Sequence, residues 1–206
     1  MEILIVANGT VKNRNFYKKT IKKADIIVAA DGGADNCIKL GISPDYVVGD
    51  LDSISDKAKE KFKKNTIHDK DQNTTDLEKA INLAKKFKCK NLTIIGAIGS
   101  RMDHTISNIM ALFKTKNPSK IIDESNEIFA VEKETEIRGK KGDIVSIIPV
   151  SRVEGLACHG LKWNVKNKNV DAGWTGTSNI MTGSKANVKL KSGKIIIIKA
   201  KEKSGK

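Results

Sequence analysis

Short apolar runs closed by glycine or aspartate recur through the first half of the chain. Ile3-Leu4-Ile5-Val6-Ala7 ends at Asn8-Gly9, and Ile26-Ile27-Val28-Ala29-Ala30 runs into Asp31-Gly32-Gly33. Tyr46-Val47-Val48 ends at Gly49-Asp50, and Leu92-Thr93-Ile94-Ile95 ends at Gly96. Continuous apolar runs of this length predict strands buried on both faces. Helical spacing lies between them. Thr75 and Glu78 form a capping box, and Leu77, Ala80, Ile81 and Ala84 share one helix face. A second helix is predicted from about Met102 to Lys116, with Ile106, Ile109, Met110 and Phe113 on its apolar face and Pro118 as its stop. Alternating strands and helices predict a mainly parallel, Rossmann-like sheet covered on both faces.

The texture changes near residue 120. Strand-like segments follow at 120–123, 127–131, 144–149, 186–191 and 194–199, with Ser192-Gly193 as a hairpin signal between the last two. The expectation is an α/β N-terminal domain over residues 1–122 and an all-β sandwich C-terminal domain over residues 123–206. The tail from Lys201 to Lys206 reads as frayed.

Composition narrows the class. The chain has 206 residues, 39% of them apolar, too many for a disordered chain. No apolar run approaches the roughly 18 residues of a membrane span. The start lacks a signal-peptide pattern. Three widely spaced cysteines with no C-x-x-C pair argue against a disulfide scaffold or a cysteine-rich zinc site. A cytoplasmic protein with no membrane partner is expected. The net charge of +14 raises nucleic-acid binding as a rival. But lysine supplies 34 of the 38 cations, they are spread along the chain, and no aromatic residues interleave them. The clusters at Lys57–Lys64 and Lys85–Lys90 are read as solvated faces of amphipathic helices, and no nucleic-acid partner is expected.

Ligands of open parallel sheets bind beyond the carboxyl ends of the strands. There the sequence places Asp31-Gly32-Gly33, then Gly49-Asp50-Leu51-Asp52-Ser53, then Asp71-Gln72-Asn73-Thr74-Thr75-Asp76, then Gly96 to Gly99 with Arg101 and Asp103. One such aspartate is turn chemistry; carboxylates gathered on one rim repel unless a cation neutralises them. Oxygen ligands without Cys or His select Mg²⁺, which also binds substrate phosphates. Gly32-Gly33 is either a tight turn or a positive-φ cradle for an anion. Arg101 is either a phosphate fork or half of a surface salt bridge. Trp163 and Trp174, the two tryptophans, sit in polar, glycine-punctuated segments; each offers a flat face to a ring or is ordinary packing.

Together these segments resemble the thiamine pyrophosphokinase family. The resemblance rests on D-G-G-A (Asp31 to Ala34), G-D-x-D-S (Gly49 to Ser53), D-Q-x-x-T-D (Asp71 to Asp76), G-x-x-G-x-R-x-D-H (Gly96 to His104), G-L-K-W (Gly160 to Trp163) and T-S-N (Thr177 to Asn179), in order along both halves of the chain. It implies a nucleotide-binding catalytic domain followed by a thiamine-binding sandwich, and a homodimer with active sites between subunits. The implied reaction moves the diphosphate of ATP to the hydroxyl of thiamine, giving thiamine diphosphate and AMP, with Mg²⁺ as cofactor. The implied catalytic residues are Asp50, Asp52, Asp76, Arg101 and Asp103. Asp31, Gly32, Gly33, Ser53, Gln72, Thr75 and Arg101 are implied at ATP; Asp31, Asp50, Asp52 and Asp76 at the metal; Trp163, Ser178 and Asn179 at thiamine. Asn73, where many relatives carry an acidic residue, and Ile180, where bacterial relatives often carry Glu, depart from the family pattern.

Overall fold

A computed structural model describes residues 1–115 and 117–200, and divides the chain into two units, Met1–Glu124 and Ser125–Lys206. The expectation of a frayed tail at 201–206 lies outside the described residues, as does Lys116 at the end of the second predicted helix.

In the first unit, strands β1 (Glu2–Val6), β2 (Ile26–Ala30), β3 (Tyr46–Gly49), β4 (Thr66–His68), β5 (Asn91–Ile95) and β6 (Ser119–Ile122) alternate with helices α1 (Arg14–Lys23), α2 (Gly33–Leu40), α3 (Asp56–Phe62), α4 (Asp76–Ala84) and α5 (Met102–Ala111). Within this unit the strand order is β6-β5-β1-β2-β3-β4, and every pairing is parallel. Leu4, Val6, Ala29, Val47 and Ile95 are buried with Ala34, Cys37 and Leu40 of α2 and Phe62 of α3. That explains why the strands read as unbroken apolar runs. β6 belongs here, parallel to β5, although its sequence reads with the β-rich second half.

Three expectations about this unit need correction. Lys85–Lys90 does not continue a helix: α4 ends at Ala84, and Lys85 is its C-cap. The predicted apolar face of α5 is only partly covered: Ile106 and Met110 are exposed and Ile109 and Phe113 half-buried, while Thr105 and Ala111 are buried. The Thr105 hydroxyl donates to the Arg101 carbonyl at 3.1 Å and accepts from the Gly99 N–H at 3.2 Å, so a polar tether fixes how the helix is turned. Gly32 and Gly33 do not have positive φ. That conformation falls on Asp31, at φ 44°.

Gly33 is required for close packing instead. A Cβ there would lie 2.0 Å from the Val6 carbonyl oxygen, so α2 begins directly against β1.

The second unit is a sandwich of two antiparallel sheets. It contains β7 (Asn126–Val131), β8 (Glu134–Arg138), β9 (Ile144–Pro149), β10 (Val153–His159), β11 (Val165–Val170), β12 (Asn179–Ile180), β13 (Lys185–Lys189) and β14 (Ile195–Ala200). Within this unit the sheet orders are β12-β9-β14-β7 and β11-β10-β13-β8. Val145, Ile147, Ile195 and Ile197 of one sheet and Leu156, Cys158, Ala186 and Val188 of the other form a shared core. Ser192-Gly193 does not make a hairpin, because β13 and β14 lie in different sheets. The turn carries the chain across the sandwich, with Ser192 bridging to Glu154, and both strands gain a buried face.

Gly33→Ala is expected to destabilise the protein by about 2 kcal/mol or more, in the range of overpacked cores; urea unfolding at equilibrium measures it.

Candidate active site

The parallel sheet sends successive loops out at the carboxyl ends of its strands, and three of them bring carboxylates together. Asp31 directly follows β2, Asp50 directly follows β3, and Asp76 opens α4. One oxygen from each lies within 4.8 Å of the others. Gly49 makes the approach possible. A Cβ at that position would meet the Asp31 Cβ at 2.7 Å and the Asp76 Oδ1 at 3.1 Å.

Each carboxylate is held differently. Asp31 is 2% exposed. Its Oδ2 accepts from the Ser53 N–H at 3.2 Å, while its Oδ1 is buried with no hydrogen-bond partner. Burial first, and the neighbouring Asp76 charge second, push its pKa up against the Gly32 and Ser53 N–H groups. Asp50 accepts from Gln72 Nε2 at 3.2 Å and from the Asp52 N–H at 3.3 Å; the Gln72 bond leads in drawing its pKa down. Asp76 accepts from the Lys79 ammonium at 3.1 Å. A buried carboxylate with one unpartnered oxygen, gathered with two further carboxylates, is a donor set for a hard divalent cation, and these three residues fit Mg²⁺ on that ground.

The other expected residues stand around this centre or apart from it. Asp52 is not one of the three gathered carboxylates; it accepts from the Ser53 hydroxyl at 2.8 Å. Thr75 is the N-cap of α4, accepting from the Glu78 N–H at 3.3 Å, and so places Asp76 at the first helical position. The preceding turn is built on Asp71, which accepts from the Asn73 N–H and the Thr74 hydroxyl, each at 2.9 Å. Arg101 and Asp103 form a bidentate pair at 3.0 and 2.6 Å, exposed on both sides. The guanidinium holds the Asp103 carboxyl well below the usual carboxylate range. Asp103 is thus the partner of Arg101 and not a member of the gathered three.

Two residues of this rim went unread in the sequence. Lys79 is 4% exposed on a helix whose apolar spacing omits it. Asn36 is buried on α2 and donates to the Ala7 and Gly9 carbonyls at 2.7 and 2.8 Å, fixing the loop after β1. An i, i+3 spacing from Asp76 was the available signal for Lys79; Asn36 offered none.

The second unit holds a separate cavity of about 190 Å³, lined by Trp163, Trp174, Thr177 and Asn179 among others. Asn179 organises its wall: its side chain accepts from the Trp163 N–H at 3.0 Å and donates to the Trp163 carbonyl at 2.7 Å. Trp163 stays 55% exposed, with the Lys162 ammonium 4.8 Å from its ring centre. Ser178 has φ 59°, and its N–H donates to the Ser146 hydroxyl at 3.2 Å.

Comparison with known proteins bears on both units. The family model described as "Thiamin pyrophosphokinase, catalytic domain" matches residues 17–122, and "Thiamin pyrophosphokinase, vitamin B1 binding domain" matches residues 125–195. The chain belongs to the thiamin pyrophosphokinase family. Members of this family are diphosphotransferase enzymes, and this chain is one of them. Thiamine pyrophosphokinase 1 of Oryza sativa subsp. japonica is 30% identical over 192 residues, covering 77% of this chain and 73% of that protein. Thiamine pyrophosphokinase of Bacillus subtilis is 26% identical over 189 residues, covering 84% and 86%. The crystal structure of the Bacillus subtilis protein superposes with a TM-score of 0.87 at 25% identity, covering 98% of this chain and 100% of that one. The α/β-plus-sandwich fold expected from the sequence is the fold of this family.

With no cation bound, the buried and crowded Asp31 carboxylate costs stability. Asp31→Asn is expected to stabilise the chelator-treated protein by on the order of 1 kcal/mol, the usual return from relaxing a functional site. Urea unfolding in chelator reads this out; a loss of stability would mean the carboxylate is not strained.

Proposed function

We propose that the protein is a Mg²⁺-dependent thiamine diphosphokinase that transfers the diphosphate of ATP to the thiamine hydroxyl, releasing AMP. The observation that carries this reading is the convergence of Asp31, Asp50 and Asp76, with one Asp31 oxygen buried and unpartnered. These three residues would hold the cation. Bound there, Mg²⁺ would neutralise phosphate oxygens and the charge that develops on transfer.

The remaining residues position and neutralise. Gln72 and the Asp52 N–H steady Asp50, and Ser53 ties the same loop to Asp31. Arg101 is exposed and oriented by Asp103 through Nε and Nη2, and its remaining guanidinium N–H groups would meet phosphate oxygens. Gly32 and Gly33 begin α2 at the same rim, where backbone N–H groups suit an anion. A carboxylate of the rim takes the hydroxyl proton as the oxygen bonds to the β-phosphorus and the bond to AMP breaks. Diphosphoryl transfer asks chiefly for such alignment and charge compensation.

Trp163, held by Asn179, offers a face to the cationic thiamine ring, worth about 0.5–2 kcal/mol as a cation–π contact; Ser178 shapes the same loop. In this reading the first unit binds nucleotide and the second binds thiamine. A homodimer with active sites between subunits accords with the exposed Met102, Ile106 and Met110 on α5, an apolar stripe that a second copy would cover. Three free cysteines suit a reducing, cytoplasmic setting. The lysine-rich surface is read as solvation, with no nucleic-acid partner.

Purified protein with ATP, Mg²⁺ and thiamine should yield thiamine diphosphate and AMP, and chelator should stop the reaction. AMP release with a hydroxymethylpterin but not with thiamine would reassign the acceptor. Trp163→Ala is expected to raise the thiamine KM by roughly 2- to 30-fold with a smaller change in kcat; an unchanged KM removes Trp163 from the pocket. Ile106→Glu is expected to shift the sedimenting species from dimer to monomer, and an unaltered mass places the subunit contact elsewhere.

A further inference from the structure

Lys79 is the one buried cation among the described residues, and it stands in the wall of the acidic centre. Lysine is almost never fully buried unless it is paired. Here the ammonium donates to Asp76 Oδ1 at 3.1 Å with its side chain 2% exposed. Burial disfavours its charge, but Asp76, Asp50 and Asp69 together outweigh that cost. One oxygen each of Asp31 and Asp50 also lies within 4.8 Å of an Asp76 oxygen, and Asp31 Oδ1 has no partner of its own. Without a compensating positive charge, three carboxylates in this space would push one another apart. Asp76 would be the first to move, since it belongs to a helix start and not to a strand end.

We propose that Lys79 is an internal counter-cation that holds Asp76 in place and keeps the three carboxylates assembled while no divalent cation is bound. It is a positioning residue, acting through Asp76. The inference rests on reading the centre as a cation site. It implies a division of labour: Lys79 compensates one carboxylate permanently, and the divalent ion compensates the others when it binds. Removing the lysine charge should leave the fold dependent on the divalent ion.

The test is the thermal unfolding midpoint of the full chain, in chelator and in saturating Mg²⁺, for the parent, Lys79→Arg, Lys79→Gln, Asp31→Asn and Asp31→Asn/Lys79→Gln. Lys79→Gln is expected to lose about 4 °C or more in chelator and to recover at least about half of that in Mg²⁺. Its Mg²⁺-induced rise should therefore exceed that of the parent. Lys79→Arg should stay near the parent. Asp31→Asn should stabilise the Lys79→Gln background more than it stabilises the parent, because it removes a charge that Lys79 no longer balances. An equal loss for Lys79→Gln with and without Mg²⁺, or an Asp31→Asn effect that is the same in both backgrounds, would show that Lys79 merely packs and would overturn the proposal. If Lys79→Gln does not fold in chelator, recovery of folded protein in the double variant supports the proposal and its failure refutes it. A parent that responds to no concentration of Mg²⁺ would refute the cation site itself, and the role of Lys79 with it.

Discussion

Like charges in a confined, partly dry space set the terms for this protein. Three carboxylates from separate loops are brought within 4.8 Å, one of them almost wholly buried. Nothing in local chain preference favours that arrangement. It exists because the backbone imposes it: adjacent parallel strands deliver Asp31 and Asp50, a Thr75 cap delivers Asp76, and Gly49 leaves the space they enter. The rigid part of the structure holds together groups that would separate if free. In the proposed reaction the missing charge would arrive as a divalent cation, and the site would be preorganised for it.

Much of the surrounding detail serves to limit the resulting strain. Gln72 and the Asp52 N–H compensate Asp50, the Ser53 N–H compensates one oxygen of Asp31, and Lys79 compensates Asp76. The Asp31 Oδ1 that remains without a partner is where compensation stops. Arg101 follows a different rule. It is paired with Asp103 at the surface, where solvent keeps the pair exchangeable, so its guanidinium can be oriented and still accessible.

The parallel sheet and the carboxylates at its rim were legible because both depend on features one residue type signals alone. A short unbroken apolar run leaves no polar face for solvent, so it belongs in a strand covered on both sides. Where such a run stops at aspartate, the strand stops too. What was not legible depended on three-dimensional neighbours. Lys79 looks like any lysine among the 34 until the helix places it inward. The positive φ after β2 belongs to Asp31, since Gly33 is committed to contact with Val6. The facing of α5 follows from a threonine hydroxyl bonded to a loop, so Ile106 and Met110 of its apolar spacing are turned outward. Ser192-Gly193 has hairpin chemistry, yet its flanking strands join opposite sheets, which turn residues cannot report. In the second unit, Trp163 was visible by rarity, whereas the double clamp of Asn179 on its backbone was not.

The central claim is that Asp31, Asp50 and Asp76 together hold a divalent cation. Anomalous diffraction from crystals grown with Mn²⁺ in place of Mg²⁺ tests it without reference to turnover. The account predicts a manganese peak bonded to oxygens of these three residues. A peak bonded elsewhere, or no bound manganese at a saturating concentration, would contradict it.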